Sequence, residues 1–222
     1  MIKDYSQTGE QEFIERFFNG YVGTYLEIGA FDGITMSNTL RLLELGWHGV
    51  AVEASPPTFL KLKDNYEKNN YLNNCQIINK ALVPKYWQKD LIFYESFCKF
   101  GKDIQTVGLG TFSKFHLEKY SWITDIRQIY VETIKTETFF TQYGTDFDFV
   151  SIDVEELNFE LALDIDWNQF INLKLICIEA DIQDYRFFNF FEHFDFEFLE
   201  QRGANLFFTK SHRSTKQGLN IT

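Results

Sequence analysis

Thr24-Tyr25-Leu26-Glu27-Ile28-Gly29-Ala30-Phe31-Asp32-Gly33 is a run of strand-forming residues that stops at a glycine-rich turn. Residues 37–45 follow, where Leu40, Leu42, Leu43 and Leu45 suit a buried helix that Gly46 closes. A second apolar run, Gly49-Val50-Ala51-Val52-Glu53, then predicts a second strand. Strand, helix and strand in this order make a β-α-β unit, whose two strands lie parallel because the helix carries the chain back across the sheet. An acid stands in or at the end of each strand, Glu27 in the first and Glu53 in the second.

Upstream, Thr8-Gly9-Glu10-Gln11 reads as a capping box between Thr8 and Gln11. Phe13, Ile14, Phe17 and Phe18 share one face of the helix it opens, which Gly20 and Gly23 end. Downstream, Pro56-Pro57 starts a helix to about residue 70, and Cys75-Gln76-Ile77-Ile78-Asn79 is a third strand. Residues 84–130 break the alternation with a strand at 91–94, a flexible Gly108-Leu109-Gly110 and a helix at 113–120, and they read as an insertion. Alternation resumes with strands at 129–134, 147–153 and 174–179 and helices at 136–143, 159–163 and 187–194. Two closing runs, 194–200 and 205–210, flank Gln201-Arg202-Gly203-Ala204 and predict an antiparallel hairpin. The expected organisation is one domain over residues 1–210 with an insertion at about 84–130, and a loose polar tail at 211–222.

Alternating strands and helices give an α/β fold, a mostly parallel sheet covered on both faces. In such sheets the ligand lies beyond the strands' carboxyl ends, where the strand order reverses. Glu27 to Gly33, Glu53, Asn79 to Ala81, Asp153 and Glu179 all fall at that edge.

Composition narrows the ligand. The 222 residues carry 21 Lys and Arg against 32 Asp and Glu, a net charge of −11. A phosphate backbone is repelled by such a field, so nucleic acid is not the expected partner. The three cysteines, Cys75, Cys98 and Cys177, show no paired spacing and read as reduced thiols. Residues 1–7 lack the apolar run of a signal peptide, and no stretch has the roughly 18 apolar residues of a membrane span. A cytoplasmic protein is expected.

Two ligands suit a glycine turn after the first strand with an acid after the second: a dinucleotide and S-adenosyl-methionine. A dinucleotide fingerprint starting at Gly29 needs glycine at positions 31 and 34, where Phe31 and Ile34 stand, and no phosphate-binding G-K-[ST] follows. S-adenosyl-methionine has no phosphate. It asks for close backbone approach at Gly29 and Gly33, an acid such as Glu27 or Asp32 near its ammonium, and Glu53 to accept its ribose hydroxyls. A nicotinamide-dependent oxidoreductase and a non-catalytic module that keeps the fold are the alternatives. A tight turn with solvated acids is the plainer account of the same residues.

Several separated motifs occur in order along the chain: Tyr5-Ser6-Gln7 with Gly9-Glu10, residues 26–33, Ser37-Asn38-Thr39, Gly46-Trp47-His48-Gly49-Val50 and Val52-Glu53-Ala54-Ser55-Pro56. Phe149-Val150-Ser151-Ile152-Asp153-Val154-Glu155 and Ile176-Cys177-Ile178-Glu179 continue the series. Together they resemble the FkbM-type methyltransferase family over about residues 5–180. The resemblance implies a class I methyltransferase (Rossmann-like) fold, a seven-stranded mostly parallel sheet with the C-terminal hairpin. It also implies S-adenosyl-methionine as donor and a sugar, glycan or natural-product hydroxyl as acceptor. It places Gln7, Glu27, Gly29, Ala30, Asp32, Gly33, Asn38, Glu53, Ala54, Ala81 and Asp153 around the donor. One departure is Glu156, where the family usually has glycine after the Asp-Val-Glu run.

Methyl transfer to an alcohol needs positioning and a base for the departing proton. Asp153 and Glu155 share a parity at a strand end and are the leading candidates. Of the histidines, His48 falls at the opposite edge, His193 among phenylalanines and His212 in the tail. His116, in the insertion, is the only one expected near an acceptor, with a structural role favoured for it. Asp153, Glu155, Glu156, Glu179, Asp181 and Asp184 form an acidic rim, and Asp153, Glu155 and Glu179 are candidate ligands for Mg²⁺ or Mn²⁺. The direct carboxylate route is favoured over a divalent cation. Trp87 and Trp122 are the expected aromatics of an acceptor groove.

Overall fold

The structure, a computed structural model, describes residues 3–88, 92–100, 103–180 and 184–211. The tail with His212, Asp181 of the acidic rim and Leu91 of the expected 91–94 strand lie outside the described residues.

The first β-α-β unit forms as the sequence dictates: β1 (Thr24–Ile28), α2 (Leu40–Glu44) and β2 (His48–Glu53), after a leading α1 (Glu10–Phe18). Then come α3 (Pro56–Lys68), β3 (Cys75–Asn79) and β4 (Ala81–Val83). Residues 92–130 hold β5 (Ile92–Phe100), β6 (Asp103–Thr111), α4 (Lys114–Glu118) and β7 (Asp125–Tyr130). The chain continues through β8 (Thr133–Lys135), α5 (Thr136–Tyr143), β9 (Phe149–Ile152), α6 (Asn158–Asp164), β10 (Leu175–Glu179) and α7 (Arg186–Glu192). It closes with β11 (Phe196–Arg202) and β12 (Asn205–Lys210).

Seven strands make the main sheet in the order β3-β2-β1-β9-β10-β12-β11. Only β12 runs against the rest: it pairs antiparallel with both β10 and β11, while the other neighbouring pairs are parallel. The strand order reverses between β1 and β9, so the loops after these two strands diverge and leave a crevice.

Period-two alternation sorts side chains between two cores. Leu26, Ile28, Val150, Ile152, Ile176 and Ile178 pack with Phe139, Leu161, Trp167, Phe187 and Phe191 on the face covered by α5, α6 and α7. Tyr25, Ala51, Phe149, Leu175, Cys177 and Phe207 pack with Phe13, Ile14, Leu40, Leu42, Leu62 and Tyr66 on the face covered by α1, α2 and α3. Glu27 shares the parity of Tyr25, so its carboxylate is carried to the second face, where it is buried. Trp47, Trp167 and most of the Phe are accounted for by such packing rather than by ligand contact.

Several local expectations change. Thr8 does not cap α1 with Gln11: Gly9 is the N-cap at φ 87°, the Thr8 N–H and hydroxyl both donate to Glu10, and the Ser6 hydroxyl accepts from the Gln11 N–H. The burial of Glu10, and the Asn205 amide that also donates to it, explain why Thr8 turns to that carboxylate. Gly108-Leu109-Gly110 is not a flexible link but part of β6. The expected strand 129–134 is two strands, because the chain leaves the three-stranded sheet β6-β5-β7 at Val131 and Glu132 and pairs anew, β8 with β4. No helix among the described residues is long and apolar enough to cross a membrane.

Candidate active site

A cavity of about 330 Å³ opens at the carboxyl edge of the sheet, over the crevice between β1 and β9. Among the described residues six other than glycine have positive φ, and Asn19, Asn70 and Asp195 are of the types that tolerate it. The other three, Phe31 at 50°, Met36 at 56° and Glu155 at 60°, all line the cavity. Backbone strain is therefore concentrated where the loops after β1 and β9 face each other, the usual place for a functional site.

The glycines of the first turn serve packing. At Gly29, φ is 93° and a Cβ would meet the Asp153 carbonyl oxygen at 1.8 Å, so the turn after β1 lies directly against the loop after β9. A Cβ on Gly33 would meet Leu62 and Tyr66 of α3 at 2.4 and 2.5 Å, and Gly33 does not line the cavity. Its glycine answers to helix packing, which corrects the expected role in donor approach. Asp32 is also off the cavity wall: its carboxylate accepts from the N–H groups of Ile34 and Thr35 and from the Thr35 hydroxyl, and so folds its own loop.

Two buried acids line the cavity from β1 and β2. Glu27 accepts from the Thr39 hydroxyl at 2.7 Å, and burial pushes its carboxyl up to about 7 against the hydrogen bonds from Thr39 and Ser37. At the end of β2, the Glu53 Oε1 accepts from the Ser55 N–H at 2.8 Å and its Oε2 from the Phe31 N–H at 2.9 Å. These two bonds fix the carboxylate's direction. Burial pushes Glu53 up to about 8, against those N–H groups. Gln7, Gly29, Ala30, Asn38, Ala54 and Ala81 line the same cavity, with Val52, Leu82, Phe93 and Phe112 supplying apolar wall.

After β9 and at the end of β10 lie Asp153, Glu155 and Glu179, each with an oxygen within 4.8 Å of the others. Asp153 is exposed to the cavity, yet the protein around it still desolvates its carboxyl, and this, followed by the charges of Glu179 and Glu155, holds it well above the usual carboxylate range. Glu155 is not on the strand, which ends at Ile152, so strand parity is not what aims it inward. The left-handed turn at Glu155 does that. Asn158 braces the loop: its Oδ1 accepts from the Val154 N–H at 2.7 Å and its amide donates to Glu179 at 3.2 Å.

His116 is the residue that sequence reasoning underrated. From α4 its Nε2 lies 3.1 Å from Glu155 Oε2, and this hydrogen bond raises the imidazole's pKa above its ordinary value. Burial raises Glu155 in turn, with the His116 hydrogen bond opposing. Tyr120 and Trp122 follow α4 and line the cavity, Trp122 being half exposed, whereas Trp87 packs on Phe112 away from the wall. His48 is at the far edge and exposed, and His193 caps α7.

A profile of the Methyltransferase FkbM domain matches residues 27–206, four fifths of the chain. The chain belongs to the FkbM methyltransferase family. Sequence comparison with curated proteins gives no match. Among solved structures the Escherichia coli protein yhhF, named as a candidate methyltransferase, superposes with a TM-score of 0.53 at 11% identity, over 94% of this chain and 89% of that one. The human METTL16 methyltransferase domain gives 0.49 at 12% identity over 90% of this chain, which spans 65% of that domain. A Staphylococcus aureus protein named as a candidate caffeoyl-CoA O-methyltransferase gives 0.48 at 12% identity, over 94% of this chain and 84% of that one. At 11% identity the likeness to the Escherichia coli protein is one of fold, the class I methyltransferase fold.

S-adenosyl-methionine is the donor that an FkbM methyltransferase domain implies, and the cavity lining fits that molecule. A preoriented buried carboxylate suits vicinal hydroxyls, an apolar wall suits a heteroaromatic ring, and Glu27 with Asn38 and Gln7 gives polar partners for an amino-acid end. Family membership also favours methyl transfer over the nicotinamide alternative.

Proposed function

We propose that this FkbM protein is an O-methyltransferase acting on a hydroxyl of a sugar or glycan, with Asp153 and Glu155 handling the acceptor proton. The observation that carries the reading is the acid cluster of Asp153, Glu155 and Glu179. It shares one cavity with Glu53 and with the half-exposed Trp122. An aromatic face beside carboxylates matches a polyol, with apolar C–H faces to stack and hydroxyls to donate. A net charge of −11 and acids at the reaction centre disfavour a phosphate-rich acceptor.

The bound donor supplies a methyl group made electrophilic by its sulfonium. Glu53, with both oxygens directed by backbone N–H groups, receives the ribose hydroxyls. Glu27, Asn38 and Gln7 hold the amino-acid end, and Gly29, Ala30, Ala54, Ala81 and Asp153 complete the donor wall. Asp153 or Glu155 orients the acceptor hydroxyl and takes its proton as the oxygen–methyl bond forms. Such proton transfer contributes on the order of 10²-fold or more to rate. Three carboxylates of this kind are also hard ligands suited to Mg²⁺ or Mn²⁺. The direct route is preferred because Glu155 with His116 at 3.1 Å forms a proton-accepting pair that needs no cation.

Calorimetry with S-adenosyl-methionine and its demethylated product is the first test, followed by transfer of a labelled methyl group to a panel of mono- and oligosaccharides. Saturable donor binding and alkali-stable labelled ethers are expected. No binding at millimolar donor sinks the reading. Donor binding with label appearing on RNA and on no glycan replaces the acceptor class.

A further inference from the structure

Glu95 lies in β5, within the stretch that interrupts the class I alternation, yet its carboxylate enters the donor side of the core. It is 3% exposed and lines the cavity. The pairing of β5 with β6 shifts register between Glu95 and Phe97, an irregularity of the kind that re-aims a side chain. Glu95 Oε1 accepts two hydroxyl bonds at 2.7 Å each, from Ser55 and from Thr58. Ser55 is the N-cap of α3, its hydroxyl accepting from the Thr58 N–H, and its own N–H donates to Glu53 Oε1 at 2.8 Å. Glu95, Ser55 and Glu53 thus form a buried series of hydrogen bonds that ends on the acid read as the ribose ligand.

We propose that Glu95 is a positioning residue of the donor site: by holding the Ser55 and Thr58 hydroxyls it keeps the Ser55 N–H directed at Glu53 and the Glu53 carboxylate aimed into the cavity. The inserted stretch then serves both substrates, the donor through Glu95 and the acceptor through Trp122. This rests on the reading of Glu53 as a donor ligand. An anchor that only ties β5 to α3 makes the opposite prediction, a loss of thermal stability with donor affinity unchanged.

The test uses the full chain with Glu95→Ala, Glu95→Gln and Thr58→Val. It measures the dissociation constant of S-adenosyl-homocysteine by calorimetry, donor KM and kcat for methyl transfer, and the unfolding midpoint. Glu95→Ala is expected to weaken S-adenosyl-homocysteine by about tenfold or more and to raise donor KM while kcat at saturating donor changes by less than about threefold. Glu95→Gln keeps an oxygen that accepts both hydroxyls and is expected to recover affinity to within about threefold of the parent. Thr58→Val, which removes one of the two hydroxyls, is expected to lose about threefold. Parental affinity in Glu95→Ala overturns the proposal, as does a fall in kcat with donor KM unchanged. Should Glu95→Ala not fold, Thr58→Val decides, and parental affinity there overturns it. A parent protein that binds no S-adenosyl-homocysteine overturns the donor reading itself. A parent that binds, with every variant equal to it, overturns only the role of Glu95.

Discussion

His116 Nε2 and Glu155 Oε2 meet at 3.1 Å, joining α4 to the left-handed turn that follows β9 across 39 positions of sequence. Both side chains are mostly buried, so the pair is shielded from the screening that makes surface ion pairs weak. His116→Ala leaves Glu155 without the partner that opposes the effect of burial on its carboxyl. Turnover at saturating donor is expected to fall by about tenfold or more, with S-adenosyl-homocysteine affinity within about twofold of the parent. Steady-state kinetics beside calorimetry checks this, and an equal loss in both measurements assigns His116 to general stability.

Glu53 has two kinds of partner, the N–H groups of Phe31 and Ser55 and the ribose hydroxyls assigned to it. Glu53→Ala removes all of them, and charge-assisted hydrogen bonds contribute about 1.5–3 kcal/mol each. Donor affinity is expected to fall by at least about tenfold, with some loss of thermal stability because two loop N–H groups lose their acceptor. Calorimetry with thermal unfolding measures both. Unchanged values for both remove Glu53 from the site.

Burial raises Glu27 to about 7 and Glu53 to about 8 from an ordinary value of 4.5. Between these limits the folded protein holds protons that the unfolded chain has released, so the free energy of unfolding falls as pH rises from about 4.5 through about 8. The donor-free protein is expected to melt at higher temperature near pH 5.5 than near pH 8. Glu53→Gln, neutral at every pH, is expected to flatten that dependence. Ribose hydroxyls bind the ionised carboxylate more strongly, so donor affinity is expected to rise with pH over the same interval and binding to release protons. Calorimetry in buffers of different ionisation enthalpy counts them. A slope in Glu53→Gln equal to the parent's contradicts the assignment.

What was legible in the sequence was local. The run from Thr24 to Gly33 sets β1 and its turn by residue type alone, and Pro56-Pro57 after Ser55 sets the start of α3, so the β-α-β frame and the edge carrying Glu27, Glu53 and Asp153 follow from short-range signals. What failed depended on partners distant in sequence. Thr8 chose Glu10 because Asn205 and burial fix that carboxylate, and Gly33 is glycine because Tyr66 of α3 lies against it. Gly108 and Gly110 read as a flexible link, yet Gly110 lies in β6 with the Phe93 ring where its Cβ would be. Glu95 reaches the cavity, and His116 the Glu155 carboxylate that lines it, only because the inserted stretch folds back over that edge, and a histidine and a glutamate amid aromatics announce nothing of that. The left-handed φ at Glu155, which aims its carboxylate, has no sequence signal because glutamate does not favour it.

Asp153 and Glu155 are the residues proposed to take the acceptor proton, and their isosteric amides separate charge from shape. Asp153→Asn and Glu155→Gln are each expected to lower turnover by on the order of 10²-fold while donor affinity changes little, because neither amide accepts a proton from the hydroxyl. Chelator distinguishes the two routes. With a direct base, activity is indifferent to it, and the pH–rate profile rises along a limb displaced above the ordinary carboxylate range, since burial and the charges of Glu179 and Glu155 favour the protonated form of Asp153. If the acids hold a cation, chelator abolishes activity and Mg²⁺ or Mn²⁺ restores it, with the limb moved to lower pH by the metal's charge. The pair of Glu155 with His116 favours the first outcome. Parental turnover in both amide variants makes the assignment wrong and leaves His116, the hydrogen-bond partner of Glu155, as the group to substitute next.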